Sequence, residues 1–122
     1  MKQKIIGSYL IGGEYAELVL REGTGGEFYL TPEEGHIPRI KVGADYSDWQ
    51  DVLGVLIHEA VEMALARVKC RYTPEDDFGD DHLGFLFVVE HKDFSDACSR
   101  AGMFIAAAQD DLRREWKKRK AT

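Results

Sequence analysis

Leu56-Ile57-His58-Glu59-Ala60-Val61-Glu62-Met63-Ala64-Leu65 decides how this chain is read, because three polar, chemically capable side chains interrupt an otherwise apolar run. With Leu53 ahead of them, the apolar positions recur at helical spacing. His58 and Glu62 are four apart, so a helix projects them from one face one turn apart. There an imidazole nitrogen and a carboxylate oxygen can converge on one cation. Glu59 sits beside them, rotated by about 100°. Burying an unpaired charge in these surroundings would cost several kcal/mol, so something must compensate these groups. Either they hold a cation, or they lie at a helix edge and hydrogen-bond each other and water.

The flanks of the stretch define the helix. Ser47-Asp48-Trp49-Gln50 has the form of a capping box, with serine at the cap and glutamine at the third helical position. Arg67, Lys69 and Arg71 suit the C-terminal dipole, and Thr73-Pro74 stops the helix, which is expected over 48–70. Gly54, one turn before His58, is expected to leave room for a close neighbour.

Upstream, residues 1–43 hold eight of the twelve glycines and two of the three prolines, with short runs rich in Ile, Val, Leu, Tyr and Phe, which is a β-pattern. Four strands are expected: Lys4 to Ile11, Tyr15 to Arg21, Glu27 to Thr31 and Ile37 to Val42. Gly12-Gly13-Glu14 reads as a turn, Ala16, Leu18 and Leu20 share a strand face, and residues 22–26 read as a hairpin loop. Pro38 suits a sheet edge or a strand start. His36 is expected to be a solvated loop residue.

Downstream, residues 73–82 form an acidic loop whose spacing is not that of a calcium-binding EF-hand. Leu83 to Glu90 contains an apolar run of buried-strand length. A long amphipathic helix is then expected over 93–119, its stripe marked by Phe94, Ala97, Cys98, Ala101, Phe104, Ile105, Ala108, Leu112 and Trp116. Extended backwards, the stripe reaches His91. If the two helices pack together, His91 is the best-placed third ligand for a cation at His58 and Glu62; otherwise it is a capping surface histidine. His82, in the acidic loop, is an alternative to it without a fixed register.

The 122 residues are 44% hydrophobic and 31% charged, which fits one domain over 1–122. The net charge is −6, and from Arg113 onward there are six basic residues and one acidic. The first 112 residues therefore carry ten basic and 21 acidic side chains, net −11, which argues against nucleic-acid binding. The basic tail suits the dipole of a helix end, and the alternative is contact with an anionic partner. Cys70 and Cys98 cannot build a disulfide framework and are expected as small buried hydrophobes. No run is long enough to span a bilayer and the first residues lack a signal-peptide core, so a cytoplasmic protein is expected.

The β-rich N-terminal half, the apolar-His-Glu-x-x-Glu helix of Ile57 to Glu62 and the later His91-Lys92-Asp93-Phe94 opening a final amphipathic helix together resemble small zincin-like proteins of phage, prophage and bacterial genomes. The resemblance spans roughly Ile37 to Trp116. It implies an α+β fold with an N-terminal antiparallel sheet of about four strands packed on two long helices. It also implies a zinc ion held by His58, Glu62 and His91, with Glu59 as general base for hydrolysis of a peptide or amide in a protein or peptide substrate. Where this chain has Glu62, the better-known zinc peptidases have a second histidine. A carboxylate ligand donates more charge and makes the metal a weaker acid toward its water. The alternative is a non-catalytic protein-interaction module with a structural or vestigial metal site. Tyr46 and Tyr72, at the two ends of the motif helix, could stabilise an oxyanion or simply pack.

Overall fold

The computed structural model describes residues 3–30, 36–68 and 90–121, together with the backbone of residues 71–72 and 86–87. The acidic loop with His82, and Cys70, lie outside the described residues. The fold is α+β. Strands β1 (Gln3–Ile11), β2 (Glu14–Arg21), β3 (Gly26–Tyr29) and β4 (Arg39–Gly43) precede helix α1 (Trp49–Arg67). Two short strands follow, β5 (Arg71–Tyr72) and β6 (Leu86–Phe87), paired antiparallel with each other, and then helix α2 (His91–Ala121).

The sheet is mixed, where an antiparallel one was expected. Its order is β1-β2-β4-β3, with β2 and β4 parallel and the other pairs antiparallel. Residues 22–26 are therefore not a hairpin loop. The reason lies in the side chains: Leu18 and Leu20 of β2 and Ile40 and Val42 of β4 are all fully buried, so these two strands take the centre. β3 is four residues long and offers only Phe28 as a large inward side chain, which suits an edge. Pro38 stands just before the interior strand β4, where its carbonyl accepts the Glu17 N–H at 2.8 Å.

Both helices lie on the same face of the sheet. α2 runs along β1, where Tyr9 meets Phe104 edge-to-face with ring centroids 5.8 Å apart. The Tyr9 hydroxyl donates to Asp111 at 2.7 Å, and Lys4 pairs with Glu115 at 2.6 Å. α1 lies over β4 and β3. Trp49 at its start packs on Trp116 near the end of α2, so the helices are antiparallel.

The start of α1 corrects the capping box. Asp48, not Ser47, is the N-cap, and it makes no side-chain cap bond. What fixes the start is tertiary: Trp49 on Trp116, the Trp116 indole N–H donating to the Ala44 carbonyl at 3.2 Å, and Lys120 holding the Ser47 carbonyl. At the other end Arg67 clamps the Glu14 carboxylate and the Leu30 carbonyl, and α1 ends there, short of the expected Cys70.

In α2 the buried stripe is Ala97, Ala101, Phe104, Ala108, Leu112 and Trp116. Phe94 and Cys98, expected in it, are exposed: Cys98 is rotated onto the flank of the stripe, whereas Phe94 keeps the spacing but stands six residues, about 9 Å of helix, before Arg100, whose side chain reaches the β1–β2 turn at Gly12. Gly54 has open space where its Cβ would point, so no close neighbour requires it. Among the described residues no helix is long and apolar enough to cross a membrane.

Candidate functional site at the α1–β3 cleft

The buried stripe of α1 runs Val52, Leu56, Glu59, Ala60, Met63, Ala64, which puts a carboxylate in a core position. Glu59 is 6% exposed. It lies beneath β3 at Gly26: a Cβ there would stand 2.7 Å from Val55 Cγ1, 2.8 Å from the Lys41 carbonyl oxygen and 2.9 Å from Glu59 Cγ. No real side chain tolerates such contacts, so the glycine is what lets strand and helix close over this residue.

His58 and Glu62 lie on the margin of the same helix face. The His58 side chain is 63% exposed and that of Glu62 20%. Their nearest atoms, Nε2 and Oε1, are 3.2 Å apart, and His58 Nε2 is 3.9 Å from Glu59 Oε2. Together with Gly26, Glu27 and Phe28 these three residues line a cleft of about 300 Å³. It continues toward the start of α1 as an opening of about 490 Å³ past Gln50, Asp51, Gly54 and Val55. Glu27 is held to the sheet by Arg21, whose guanidinium gives it two hydrogen bonds of 2.7 Å. That pairing, chiefly its hydrogen bonds, holds the Glu27 carboxyl below the usual range.

Two ligand atoms on a tetrahedral zinc with bonds of 2.0–2.2 Å stand about 3.3 Å apart. The His58–Glu62 separation fits that edge, and an imidazole with a carboxylate is a donor set suited to zinc. The same distance fits a direct hydrogen bond between the two side chains. Among the described residues no group of three or more His, Cys, Asp or Glu side chains is arranged to hold a metal ion.

His91, expected on the core-facing stripe, is exposed at the first residue of α2 and lines neither part of the cleft. Arg100 is level with the β1–β2 turn at Gly12, and His91 is nine residues, about 13 Å of helix, further out. The structure thus brings together His58, Glu59 and Glu62 and leaves His91 beyond the end of the sheet. His36 is exposed as expected, near Arg39.

Sequence reasoning missed the wall opposite the helix. Gly25, Gly26 and Phe28 belong to it, and Tyr46 anchors it by accepting the Gly25 N–H at 2.6 Å. Asp45 assists by accepting the Gly23 N–H at 2.7 Å. Consecutive glycines before a strand were the available signal, since that is where a backbone can come close to a neighbour. Comparison with protein-family models, with curated proteins and with solved structures gave no match to this chain.

Proposed function

We propose that the cleft between α1 and β3 binds one divalent cation, zinc by preference, through His58 and Glu62, and supports metal-assisted hydrolysis of a peptide or amide bond. The observation that carries this is the convergence of His58 and Glu62 at zinc-edge spacing, with Glu59 buried alongside in the same cleft. A bound divalent ion supplies Lewis acidity toward a carbonyl oxygen. Glu59 takes a proton from the attacking water as general base and returns it to the leaving amine. Its position in the cleft lining beside His58 and Glu62 favours this role. β3 pairs only with β4 among the described strands, so an extended peptide could lie along its other edge beside the cleft.

The test is elemental analysis and zinc titration of the metal-free chain. Binding of one zinc per chain, lost in His58→Ala and in Glu62→Ala, is the expected result. A parallel His91→Ala variant tests the third ligand implied by the family resemblance, and unchanged affinity would assign the site to the cleft residues alone. No zinc binding by the parent chain would sink the proposal.

The second reading is a non-catalytic interaction module. It draws support from the 3.2 Å contact itself, since His58 and Glu62 can satisfy each other as a hydrogen-bonded pair. Glu59→Gln separates the two, because it abolishes hydrolysis while sparing zinc binding and fold if the cleft is catalytic.

A further inference from the structure

The cleft has an arm that the proposed chemistry does not use. Past His58 it opens toward the start of α1 as a channel of about 490 Å³, bordered by Gly25 and Gly26 on the strand side and by Gln50, Asp51, Gly54 and Val55 on the helix side. Asp51, His58 and Glu62 follow one another at seven and four residues, so the helix turns all three to within about 40° of one direction. Asp51 therefore stands in line with the His58–Glu62 pair, two turns or about 10 Å nearer the start of α1.

The channel is formed by side chains that are missing. A Cβ on Gly25 or on Gly54 would meet nothing within 4 Å. Gly25 has a φ of +71°, which the turn into β3 requires, but Gly54 lies in regular helix. Glycine weakens a helix interior relative to alanine, and no neighbour presses on this one, so nothing in the packing calls for it. What its missing side chain leaves free is the passage beside Val55 between His58 and Asp51.

Charge selects what the passage takes. Apart from His58, each charged residue lining the cleft among the described residues is acidic: Glu27, Asp51, Glu59 and Glu62. Glu27 is held by Arg21, and Glu62 meets His58. Asp51 is exposed and pairs with no cation among the described residues. An aliphatic stem ending in a positive charge matches these surfaces in order, with methylenes against Val55 and the glycine backbones and the head at Asp51.

We infer that this arm is a subsite for a lysine or arginine side chain of an extended peptide, with Asp51 as the specificity-determining residue and Gly54 keeping the passage open. The inference rests on the reading of the cleft as a peptide site. The peptide lies along the edge of β3 that no described strand covers. Two residues of extended chain cover about 7 Å, and the side chain spans the rest of the distance from the His58–Glu62 pair to Asp51. Cleavage then falls within two residues of a basic side chain.

The experiment measures binding, not turnover. Fluorescein-labelled seven-residue peptides of serine and alanine, with a central lysine, norleucine or glutamate, are titrated against the full chain by fluorescence anisotropy. The chain is used metal-free and, as the Glu59→Gln variant, with zinc. The lysine peptide should bind about fivefold more tightly than the norleucine one, the upper range for an exposed charge pair, and the glutamate peptide more weakly than either. Raising the salt should shrink that preference. Asp51→Asn should abolish it and leave the norleucine affinity unchanged. Gly54→Leu should weaken the lysine and norleucine peptides alike, by about fivefold or more, while its urea midpoint stays level or rises, because leucine is the better helix former. Asp51 is exposed, so Asp51→Asn alone carries the test should Gly54→Leu disturb the helix. A lysine preference in a chain that binds no zinc would end the hydrolase reading and keep the subsite. Zinc binding with equal affinity for the lysine and norleucine peptides overturns the subsite and leaves the hydrolase reading standing. The subsite is equally overturned if no peptide binds up to about 1 mM, if the preference survives Asp51→Asn, or if a folded Gly54→Leu binds as the parent does.

Discussion

The two helices rest on the same face of one sheet and are seated in opposite ways. Under α2 the contact is apolar and closed: Phe104, Leu112 and three alanines of its stripe are buried, Phe104 against Tyr9 of β1, and the polar bonds of Tyr9 to Asp111 and Lys4 to Glu115 lie at the rim. Under α1 the stripe includes a carboxylate, and a glycine replaces the strand side chain that would cover it. One seat holds a helix by burial. The other gives up some of that burial to keep Glu59 next to an opening. Natural cores depart from good packing where a site is built, and the contrast locates the candidate site without reference to its chemistry.

The contrast is tested most severely by Phe104→Ala. Phe104 is fully buried, so truncation removes a large apolar side chain and leaves a cavity, at a cost of about 3–5 kcal/mol. Urea denaturation measures it. A loss below about 1 kcal/mol would mean that the α2 seat is not the principal source of stability.

Gly26→Val tests the other seat. The new side chain must displace Val55, Glu59 or the backbone of β4, and overpacking of this kind costs about 1–3 kcal/mol. It should also narrow the cleft, so zinc affinity should fall more than the loss of folded protein explains. Unchanged stability in the same urea experiment would show that β3 is not pressed against the helix.

Tyr9→Phe should cost about 0.5–1.5 kcal/mol, the usual net value of one hydrogen bond. Its pH signature is more specific. The bond from Tyr9, then that from Arg114, holds the Asp111 carboxyl below its ordinary value. Burial, then the bond to Asp111, holds the Tyr9 hydroxyl above its own. The depressed carboxylate contributes stability above about pH 4 that is lost as pH falls through its folded value. The raised phenol contributes stability below about pH 10 that is lost as pH rises toward its folded value. Tyr9→Phe should remove that alkaline contribution and shrink the acid one, as read from thermal melts across pH.

These differences also separate what the sequence makes legible from what it does not. Helical spacing is a local property, so both helices and the convergence of His58 with Glu62 could be read from it. Strand order is not local. Whether β3 or β4 lies beside β2 depends on which strand buries more apolar surface, and nothing within 22–26 announces that the chain skips a place. The wall of the cleft was marked only by the paired glycines Gly25 and Gly26, for the same reason, since Gly26 meets Glu59 only once β3 has gone to the edge. His91 failed to reach the core face for a related reason. The stripe of α2 extends backwards past the β1–β2 turn, and His91 is exposed there.

The smallest effect on folding is expected at His58, and there it is most informative. His58 is exposed and its contact with Glu62 joins side chains one turn apart, a pairing worth about 0.3–0.5 kcal/mol at most in a helix. His58→Ala should therefore leave the urea midpoint almost unchanged in metal-free protein. Adding zinc should then divide the two chains, because a ligand that binds only the folded state stabilises it by about 2.7 kcal/mol at a hundred times its dissociation constant. The parent should gain stability with zinc and the variant should not. If the variant is destabilised without zinc and the parent gains nothing with it, His58 serves the fold, and the cleft belongs with the structural seat of α2.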